Sequence, residues 1–343
     1  MKILVLRYRF IGDTILTVPF LRNLRRAYPD AQIDMVVGPV SGEVLTDCPY
    51  IDNLIVFDTT RKFRYENTGQ EKRSFFSYVK LFKAQKYDKA YVLKRSFSSA
   101  ALAFLSGIKE RIGFNTEHRR FLLTKRVSYI KNRHEVECFL DVLRADNIPV
   151  SDNYLENWVN ETAENKINEI FQNLNISDGK KALIHATSGN IFKQWPLEYF
   201  AELIKYLSNK KGIQIFYTGT TNDTKVYEQI HSMINEDLKV NPINLCGKLS
   251  LLESTALINK LDFAVGSDSG TLHIAASLNK PVFGIYGPMN PKKWQAFGNI
   301  HYPIYSDLPC VPCELSKKCT RNIECLKDIT PELIINKIEK FLI

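Results

Sequence analysis

The sequence predicts an α/β protein of two doubly wound domains that face each other across a cleft, each with a parallel sheet covered by helices. Three observations lead to this fold class. Short apolar runs alternate with segments of helical period along the chain. The length of 343 residues suits two domains. A polar stretch without a clear period, residues 149–160, divides the series and is predicted to be a linker.

The first half begins with a predicted strand at 2–8 and a helical pattern at 14–28. Pro19 lies inside this pattern, so we expect the helix to kink or restart there. Residues 58–86 are basic and aromatic, and no element is predicted in them. The other predicted elements are strands at 33–37, 54–57, 91–93 and 111–114, and helices at 100–105 and 134–147.

The second half repeats the alternation. Pro196 opens a predicted helix, where its missing N–H costs no hydrogen bond. An irregular loop is expected after Pro288, and then a final helix capped by Thr330. We expect domains at 1–155 and 161–328, with a C-terminal helix at 329–343 that could pack back on the first domain. The predicted strands are 181–185, 213–218, 243–245, 263–265 and 282–285, and the helices are 163–174, 196–209, 224–234, 251–260 and 270–278.

Charge is unevenly distributed between the two halves. Residues 1–150 carry 26 Lys and Arg against 16 Asp and Glu, whereas residues 151–343 carry 20 against 21. A basic half indicates an anionic partner, such as nucleic acid, acidic lipid headgroups or a phosphorylated glycan. The alternative is a generally high isoelectric point without a functional meaning.

No apolar run approaches the ~18 residues of a membrane span, and the early charges do not fit a signal peptide. We therefore expect a cytoplasmic protein, with peripheral contact to the inner face of the inner membrane left open.

The stretch 261–288 follows the pattern strand, tight turn, helix, strand, which is typical of a parallel βαβ unit. Its turn, residues 267–271, consists of small residues and one carboxylate, Asp268. The N-terminus of the following helix offers unpaired N–H groups and the positive end of a dipole, which suit a phosphate. Asp268 itself could accept hydrogen bonds from sugar hydroxyls. The alternative is a structural turn in which Asp268 only caps the helix.

Two further polar clusters also follow predicted strands. Asp13 comes after the first strand and could take a proton from an acceptor hydroxyl, or it could simply cap a helix. Residues 185–189 and Lys193 could cradle a diphosphate through hydroxyls, backbone N–H groups and an amine, or they could form a plain surface loop. His273, in the first turn of its helix, is as consistent with packing as with function.

Four of the seven cysteines lie close together in the sequence, in the order Cys310, Cys313, Cys319 and Cys325. Only one pair has the two-residue gap of common zinc sites, so a structural metal is the less favoured interpretation. A reduced or locally crosslinked loop is the favoured one.

The motifs together resemble the glycosyltransferase family 9 heptosyltransferases, which build the inner core of lipopolysaccharide. The resemblance runs nearly from end to end. Ser188 and Ser269 stand where the family often has threonine, which keeps a hydroxyl. The motifs that carry it are Arg9-x-x-Gly12-Asp13, Thr187-Ser188, Lys193-x-Trp195-Pro196, Asp268-Ser269-Gly270-Thr271-x-His273, Tyr286-Gly287-Pro288, Arg111-Ile112-Gly113-Phe114, His134-Glu135-Val136-Glu137, the cysteine loop and Asp328-Ile329-Thr330-Pro331.

The resemblance implies a GT-B fold and inverting transfer from an ADP-heptose donor without a required cofactor or metal. Asp13 matches the family's proposed base. An additional acidic donor contact, Asp223 or Glu228, stays unassigned. The donor-binding residues implied are Thr187, Ser188, Lys193, Asp268, Ser269, Gly270, Thr271 and His273.

The acceptor implied is an anionic lipopolysaccharide precursor, Kdo-lipid A or a heptosylated core, at the inner-membrane surface. The basic half would bind it, with aromatic residues such as Phe75 and Phe76 near the membrane surface. We predict acceptor contacts from Arg9, Arg61, Arg64, Lys94, Arg95 and Arg120.

Other functions remain open from the sequence alone. The protein could use another nucleotide sugar or another acceptor. A dehydrogenase-like or regulatory nucleotide-binding protein is less favoured, because neither half has a G-x-G-x-x-G turn after its first strand. A nucleic-acid-binding protein is disfavoured because no recognised motif accompanies the charge, and no nucleic-acid partner is expected.

Overall fold

A computed structural model of the protein describes residues 1–59, 72–234, 237–315 and 319–343. Contacts divide the chain into two compact units, Met1–Trp158 and Val159–Ile343, and the division falls within the stretch 149–160. Within the described residues, each unit contains one parallel six-stranded sheet. The predicted α/β class is therefore confirmed.

In unit 1 the strands lie in the order β3-β2-β1-β4-β5-β6. The first strand lies in the interior of the sheet because later strands pair on both of its sides. The elements are β1 (Lys2–Leu6), α1 (Ile11–Ile15), α2 (Val18–Ala27), β2 (Gln32–Val37), β3 (Asn53–Val56), α3 (Phe75–Gln85), β4 (Lys89–Val92), α4 (Phe97–Leu105), β5 (Glu110–Phe114), β6 (Lys125–Val127) and α5 (Glu135–Ala145).

Unit 2 has the corresponding order β12-β11-β10-β7-β8-β9, again with its first strand in the interior. Helix α7 continues into a π-helical turn, Tyr206–Lys210. The elements are α6 (Glu161–Asn173), β7 (Lys181–His185), α7 (Leu197–Lys205), β8 (Gln214–Tyr217), α8 (Thr224–Ser232), β9 (Ile243–Asn244), α9 (Leu251–Asn259), β10 (Phe263–Ser267), α10 (Gly270–Ser277), β11 (Val282–Tyr286), α11 (Pro291–Trp294), β12 (Tyr302–Tyr305), α12 (Glu324–Lys327) and α13 (Pro331–Leu342).

The central strands are buried on both faces, as expected for parallel sheets covered by helices. Strand β1 places Ile3 to Leu6 fully out of solvent, and β10 is buried along its whole length. The strands therefore read as continuous apolar runs instead of alternating ones, which is why they were recognisable in the sequence.

The end of unit 1 is fixed by a buried arginine. Arg22 on α2, 1% exposed, forms ion pairs with Asp152 and Glu156 and donates a hydrogen bond to the Tyr154 carbonyl. A buried guanidinium needs such partners to offset its lost hydration. The segment predicted as a linker is thus attached along part of its length to helix α2.

Several predicted elements need correction. The pattern at 14–28 is two helices, α1 and α2, and the restart places Pro19 in the first turn of α2, as predicted. Helix α3 and strands β6 and β12 were not predicted, and β12 replaces part of the expected irregular loop. Pro196 is the residue before helix α7 and not its first residue.

The C-terminal helix α13 begins as predicted, with the Thr330 hydroxyl accepting a hydrogen bond from the Leu333 N–H. It packs against α7, and its side chains Ile334 and Ile338 belong to the core of unit 2. Packing of this helix on the first domain stays a prediction.

In both sheets, the next strands of the chain are added on one side of the first strand, and the later strands are added on its other side. The crossover lies between β1 and β4 in unit 1 and between β10 and β7 in unit 2. Ligands of doubly wound sheets bind beyond the carboxyl ends of the strands at such a crossover. The loops after these four strands are therefore where functional side chains are expected.

Candidate functional site

In unit 2, two loops meet at the crossover because their strands are neighbours. Gly266 of β10 lies opposite His185 of β7. A Cβ added to Gly266 would lie 2.3 Å from the His185 carbonyl oxygen, so only glycine fits at this approach. The residues that follow, Thr187 and Ser188 after β7 and Asp268 after β10, are consequently brought together.

Asp268 is the centre of this cluster. Its Oδ2 atom lies 2.9 Å from the Lys193 ammonium, and its carbonyl accepts a hydrogen bond of 3.0 Å from the Ser188 hydroxyl. The side chain of Asp268 is 10% exposed and that of Lys193 is 23% exposed, so the ion pair remains partly open to solvent. The structure thus joins three of the predicted donor-binding residues.

Asp268 does not cap helix α10, so the capping role in the structural alternative is wrong. Ser269 occupies the N-cap position with extended backbone, but its hydroxyl makes no capping hydrogen bond. The Ser269 Oγ is also buried without a partner among the described residues. Gly270 and Thr271 follow as the first two residues of α10, whose N–H groups have no partner within the helix. This helix end can accept an anion.

Trp195 holds these loops in place. The Trp195 backbone N–H donates to Ser267 Oγ at 3.1 Å, and its indole donates to the Ile329 carbonyl at 2.7 Å. These bonds fix the segment that carries Lys193. His273 is buried in α10, and burial lowers the pKa of His185 to about 4.

The structure describes both candidates for the additional acidic donor contact, Asp223 and Glu228. Asp223 accepts hydrogen bonds from the backbone N–H and the hydroxyl of Thr220, in a capping box. Glu228 is exposed on α8. Asp223 therefore has a local structural role in this capping box, and its charge also acts on His185.

In unit 1, Asp13 lies in the short helix α1, beyond the carboxyl end of β1. Phe10, and not Asp13, is the N-cap of α1, so the capping alternative is wrong here too. Arg7 Nη2 lies 2.7 Å from Asp13 Oδ2, and both side chains are about nine-tenths buried, at 8% and 10% exposed. Arg7 also lies 5.4 Å from the centre of the Phe139 ring. The carboxylate is thus held by an arginine that the sequence reasoning missed.

Lys94 follows β4, the neighbour of β1, and lies in the same cluster. Its amine is 4.9 Å from the centre of the Tyr8 ring. Burial, and then the charges of Arg7 and Arg9, lower the pKa of Lys94 to about 8, while Asp13 acts in the opposite direction. Lys94, a predicted acceptor contact, therefore lies in the electrostatic field of Asp13 and of Arg9, a second predicted contact.

The other predicted acceptor contacts are placed differently. Arg95 forms an ion pair of 3.5 Å with Glu135 and lies over the Tyr129 ring. Arg120 is exposed in a short 3₁₀ helix, Arg120–Leu122. Arg61 and Arg64 lie outside the described residues. Arg7 directly follows a buried strand and precedes Asp13 by six residues. This position is the sequence signal from which its role could have been suspected.

The four clustered cysteines line one pocket in unit 2, together with Phe192 and Pro288. None of the seven cysteines, all of which lie in the described ranges, forms a disulfide bond, so the structure shows the loop without a crosslink. Burial and the neighbouring thiols raise the pKa of Cys325 to about 11. In the described part of the chain, no group of three or more His, Cys, Asp or Glu is arranged to hold a metal ion. The less favoured metal interpretation therefore gains no support.

Within the four described ranges, no helix is both long and apolar enough to cross a bilayer.

Comparisons with known proteins agree with this architecture. A model of glycosyltransferase family 9 (heptosyltransferase) matches residues 75–323. The chain is 28% identical to lipooligosaccharide heptosyltransferase 2 of Haemophilus influenzae, with 100% of this chain and 99% of that protein covered. It is 30% identical to lipooligosaccharide heptosyltransferase 2 of Haemophilus ducreyi, with 85% of this chain and 84% of that protein covered.

Among solved structures, the E. coli ADP-heptose lps heptosyltransferase II is similar, with a TM-score of 0.79 at 24% identity, covering 100% of this chain and 98% of that one. This likeness confirms the GT-B fold class. The chain therefore belongs to glycosyltransferase family 9, the heptosyltransferase family, and is a glycosyltransferase.

Proposed function

We propose that the protein transfers heptose from ADP-heptose to the inner core of a lipopolysaccharide precursor, with inversion at the anomeric carbon. The proposal rests mainly on one observation. A carboxylate in unit 1 and a helix N-terminus in unit 2 each lie at the crossover of a parallel sheet, where ligands of this fold class bind. The curated relatives are named as heptosyltransferases of lipooligosaccharide, and the E. coli structure is named for ADP-heptose.

The donor half of the proposal rests on the chemistry of the Asp268 cluster. A diphosphate at the N-terminus of α10 would meet the N–H groups of Gly270 and Thr271 and the Ser269 hydroxyl. Lys193 is close enough to this turn to exchange its ion pair with Asp268 for one with a phosphate. Asp268, once released, would accept hydrogen bonds from sugar hydroxyls.

The acceptor half assigns Asp13 as the general base. The acceptor hydroxyl would give its proton to Asp13 while its oxygen attacks the anomeric carbon opposite the diphosphate. Arg7 binds Oδ2, so Oδ1 is the atom that would take the incoming proton. The nucleoside diphosphate is already a good leaving group, and Lys193 and the α10 N-terminus would stabilise its charge. One carboxylate is therefore sufficient, and no cofactor is required.

The test uses purified protein, a panel of nucleotide sugars and a truncated lipopolysaccharide acceptor. We expect thermal stabilisation by ADP-heptose, a product heavier by one heptose, and inverted anomeric configuration by NMR. If a different nucleotide sugar supported transfer and ADP-heptose did not, the donor assignment would be rejected.

Asp13→Asn should lower turnover by about 10²–10⁴-fold while ADP binding is retained. Asp30→Asn, at an exposed position of the same unit, is the control and should leave turnover unchanged. Because Asp13→Asn leaves the Arg7 charge without its partner, the melting temperature is measured in parallel. Near full turnover in a folded Asp13→Asn protein would reject the base.

We also propose peripheral contact of unit 1 with the anionic membrane surface that carries the acceptor. Helix α4 exposes Phe97, Phe104 and Leu105, and Phe121 of the adjacent 3₁₀ helix is 65% exposed, with its ring 6.1 Å from that of Phe97. Exposed cations border this apolar face. They are Lys109, Arg120 and Arg126, whereas Glu110 and Glu117 are the exposed carboxylates beside it.

Phe76, which the sequence reasoning placed near the membrane, is 67% exposed on α3. Phe75 was also predicted near the membrane, and this prediction is wrong, because its side chain packs against the core of unit 1.

A further inference from the structure

Four thiols share one pocket of unit 2 that the proposed reaction does not use. Cys310 is exposed, Cys313 and Cys319 are half-buried, and Cys325 is buried. The other three sulfur atoms act electrostatically on Cys325, so the four lie close together in space. Thiols gathered in this way can react with one another. The other residues that line this cysteine pocket are mostly apolar and include Phe192, Pro288, Val311, Leu315 and Ile323.

Cys319 differs from the other pocket thiols in what surrounds its sulfur. The Ile323 backbone N–H donates a hydrogen bond of 3.5 Å to Cys319 Sγ. Hydrogen bonds from the backbone N–H groups of Ile323 and Arg321 lower the pKa of the Cys319 thiol, whereas burial raises the pKa of Cys325 to about 11. A half-buried thiol with such donors is accessible and readily forms the thiolate, which is the form that reacts with an oxidant.

The turn that directs these N–H groups at Cys319 has an unusual backbone. Asn322 and Ile323 have φ angles of 44° and 53°, in the left-handed region. This region is unfavourable for a β-branched residue such as Ile323. Strain of this kind persists only where the surrounding structure holds it, and it is concentrated at functional sites. The strained turn therefore keeps the two donors on the sulfur.

The cysteine pocket adjoins the loop that carries Lys193. Phe192, the residue before Lys193, lines the pocket. On the other side of Lys193, the Trp195 indole donates a hydrogen bond of 2.7 Å to the Ile329 carbonyl, two residues after helix α12, which carries Cys325. A rearrangement of the thiols would therefore move the Lys193 loop.

We propose that Cys319 is oxidised by hydroperoxides and then forms a disulfide with Cys310 or Cys313, which weakens nucleotide binding at the Lys193 loop. In the first step the Cys319 thiolate attacks one peroxide oxygen, so that an S–O bond forms and the O–O bond breaks. The sulfur is oxidised to a sulfenic acid, and the hydroperoxide is reduced to an alkoxide that takes up a proton from water to give an alcohol. Hydrogen peroxide gives water in the same way.

In the second step the thiolate of Cys310 or Cys313 attacks the Cys319 sulfur. The S–S bond forms, the S–O bond breaks, and the leaving hydroxide combines with the proton of the second thiol to give water. A dithiol reductant reverses the change by thiol–disulfide exchange. The thiol chemistry depends on the pocket alone, whereas its effect on the nucleotide rests on the proposed donor site.

The experiment uses the full chain. Its metal content is measured as purified, and the protein is then reduced in the presence of a chelator, freed of reductant and treated with hydrogen peroxide, with and without dimedone to trap sulfenic acid. Peptide mass spectrometry should find dimedone on Cys319, and a disulfide from Cys319 to Cys310 or Cys313 when dimedone is omitted. The thiols outside the pocket should stay reduced, because burial raises the pKa of each, in the order Cys48, Cys138 and Cys246 to about 12, 11 and 12.

Cys319→Ser should abolish the rapid oxidation of the pocket. The double variant Cys310→Ser with Cys313→Ser should accumulate the Cys319 sulfenic acid, because no accessible thiol remains to displace its oxygen. Cys246→Ala, which removes a buried thiol of the same unit, is the matched control and should oxidise as the native protein does. Melting temperatures show whether each variant is folded, and dimedone labelling of the native protein needs no variant.

The effect on the nucleotide is measured by calorimetry with ADP. The disulfide form should bind ADP about tenfold more weakly than the reduced form, because the Lys193 contact is disturbed, and dithiothreitol should restore the affinity. Peroxide should leave the ADP affinity of Cys319→Ser unchanged.

Sulfenic acid forming first on another cysteine, native oxidation of the pocket in Cys319→Ser, or a metal ion held by the thiols in the purified protein would overturn the oxidation site. Equal ADP affinity of the reduced and disulfide forms would overturn the effect on the nucleotide. If the reduced native protein did not bind ADP at all, the donor site of the proposed function would be rejected instead, and the labelling result would still decide the chemistry of Cys319.

Discussion

At the residue scale, the ion pair between Lys193 and Asp268 links the two loops that the donor is proposed to enter. The Lys193 ammonium cannot form its close ion pair with Asp268 and bind a diphosphate equally well at the same time, because both anions compete for the same ammonium group. Donor binding would therefore exchange one ion pair for another. This exchange predicts that the two residues have opposite effects on binding of the nucleotide alone.

Lys193→Met should weaken binding of ADP by about 10- to 100-fold, because a charge-assisted contact to phosphate is lost. Asp268→Asn should leave ADP binding equal or tighter, because it frees Lys193, but it should weaken binding of the complete nucleotide sugar. Calorimetry with ADP and with ADP-heptose measures both effects.

Lys210→Met, at an exposed position of unit 2, is the control and should bind ADP normally. If Asp268→Asn weakened ADP and ADP-heptose to the same extent, the assignment of Asp268 to the sugar would be wrong.

Much of this residue pattern was predictable, and some was not. Asp13, Ser188, Lys193 and Asp268 follow buried strands, so the sequence indicates the edge of the sheet at which they lie. The contacts between these residues could not be predicted in the same way, because an ion pair such as Lys193–Asp268 depends on which strands are neighbours in the sheet. For Arg7, the sequence shows only its position after the first strand, whereas its pairing with Asp13 depends on α1 folding back beside it.

At the element scale, α4 and the 3₁₀ helix at Arg120–Leu122 form an apolar face bordered by cations. If it meets a bilayer, Phe104→Ser combined with Phe121→Ser should reduce binding to vesicles containing anionic phosphatidylglycerol by about tenfold or more, because two aromatic side chains no longer enter the interface. Co-sedimentation with vesicles measures the effect.

Ile191→Ser, which removes a comparably exposed apolar side chain from unit 2, is the control and should bind vesicles normally. Native binding that is equally strong to uncharged phosphatidylcholine, or unchanged in the double variant, would refute this membrane face.

The elements that were not predicted from the sequence were missed for one shared physical reason. Strand β12 has only four residues with Pro303 among them, which is tolerated because β12 lies at the edge of its sheet. Helix α3 buries only Tyr78 and Phe82, four residues apart, so its helical period is hidden among exposed lysines and aromatics. Short edge strands and weakly buried helices carry too little pattern to be recognised without their neighbours.

At the scale of the whole molecule, the two units can be distinguished by their tryptophans and by a buried histidine. The pKa of His185 is lowered by burial to about 4, below the ordinary value of 6.5 in an unfolded chain. The unfolded state therefore takes up the proton first as pH falls. The stabilising contribution of neutral His185 is fully present above about pH 6.5 and is lost progressively between there and about pH 4.

We predict that acidification to pH 4 lowers the unfolding free energy of unit 2 by on the order of 3 kcal/mol through His185. The measurement is urea unfolding in a Trp158→Phe background, which leaves fluorescence from Trp195 and Trp294 of unit 2. His185→Gln should reduce this pH dependence, whereas His118→Gln, at an exposed position of unit 1, should not. Part of the dependence should remain, because burial also lowers the pKa of His301 in unit 2 to about 4. The same steep loss in His185→Gln would contradict the assignment.

The lowered pKa of Lys94 has a chemical consequence beyond binding. An amine with a pKa of about 8 is partly unprotonated at neutral pH, whereas an ordinary lysine with a pKa of about 10.4 is almost entirely charged. Only the unprotonated form reacts as a nucleophile. An acylating reagent used sparingly at pH 7 should therefore label Lys94 ahead of ordinary surface lysines, which would attach a spectroscopic reporter beside Asp13 without introducing a new residue.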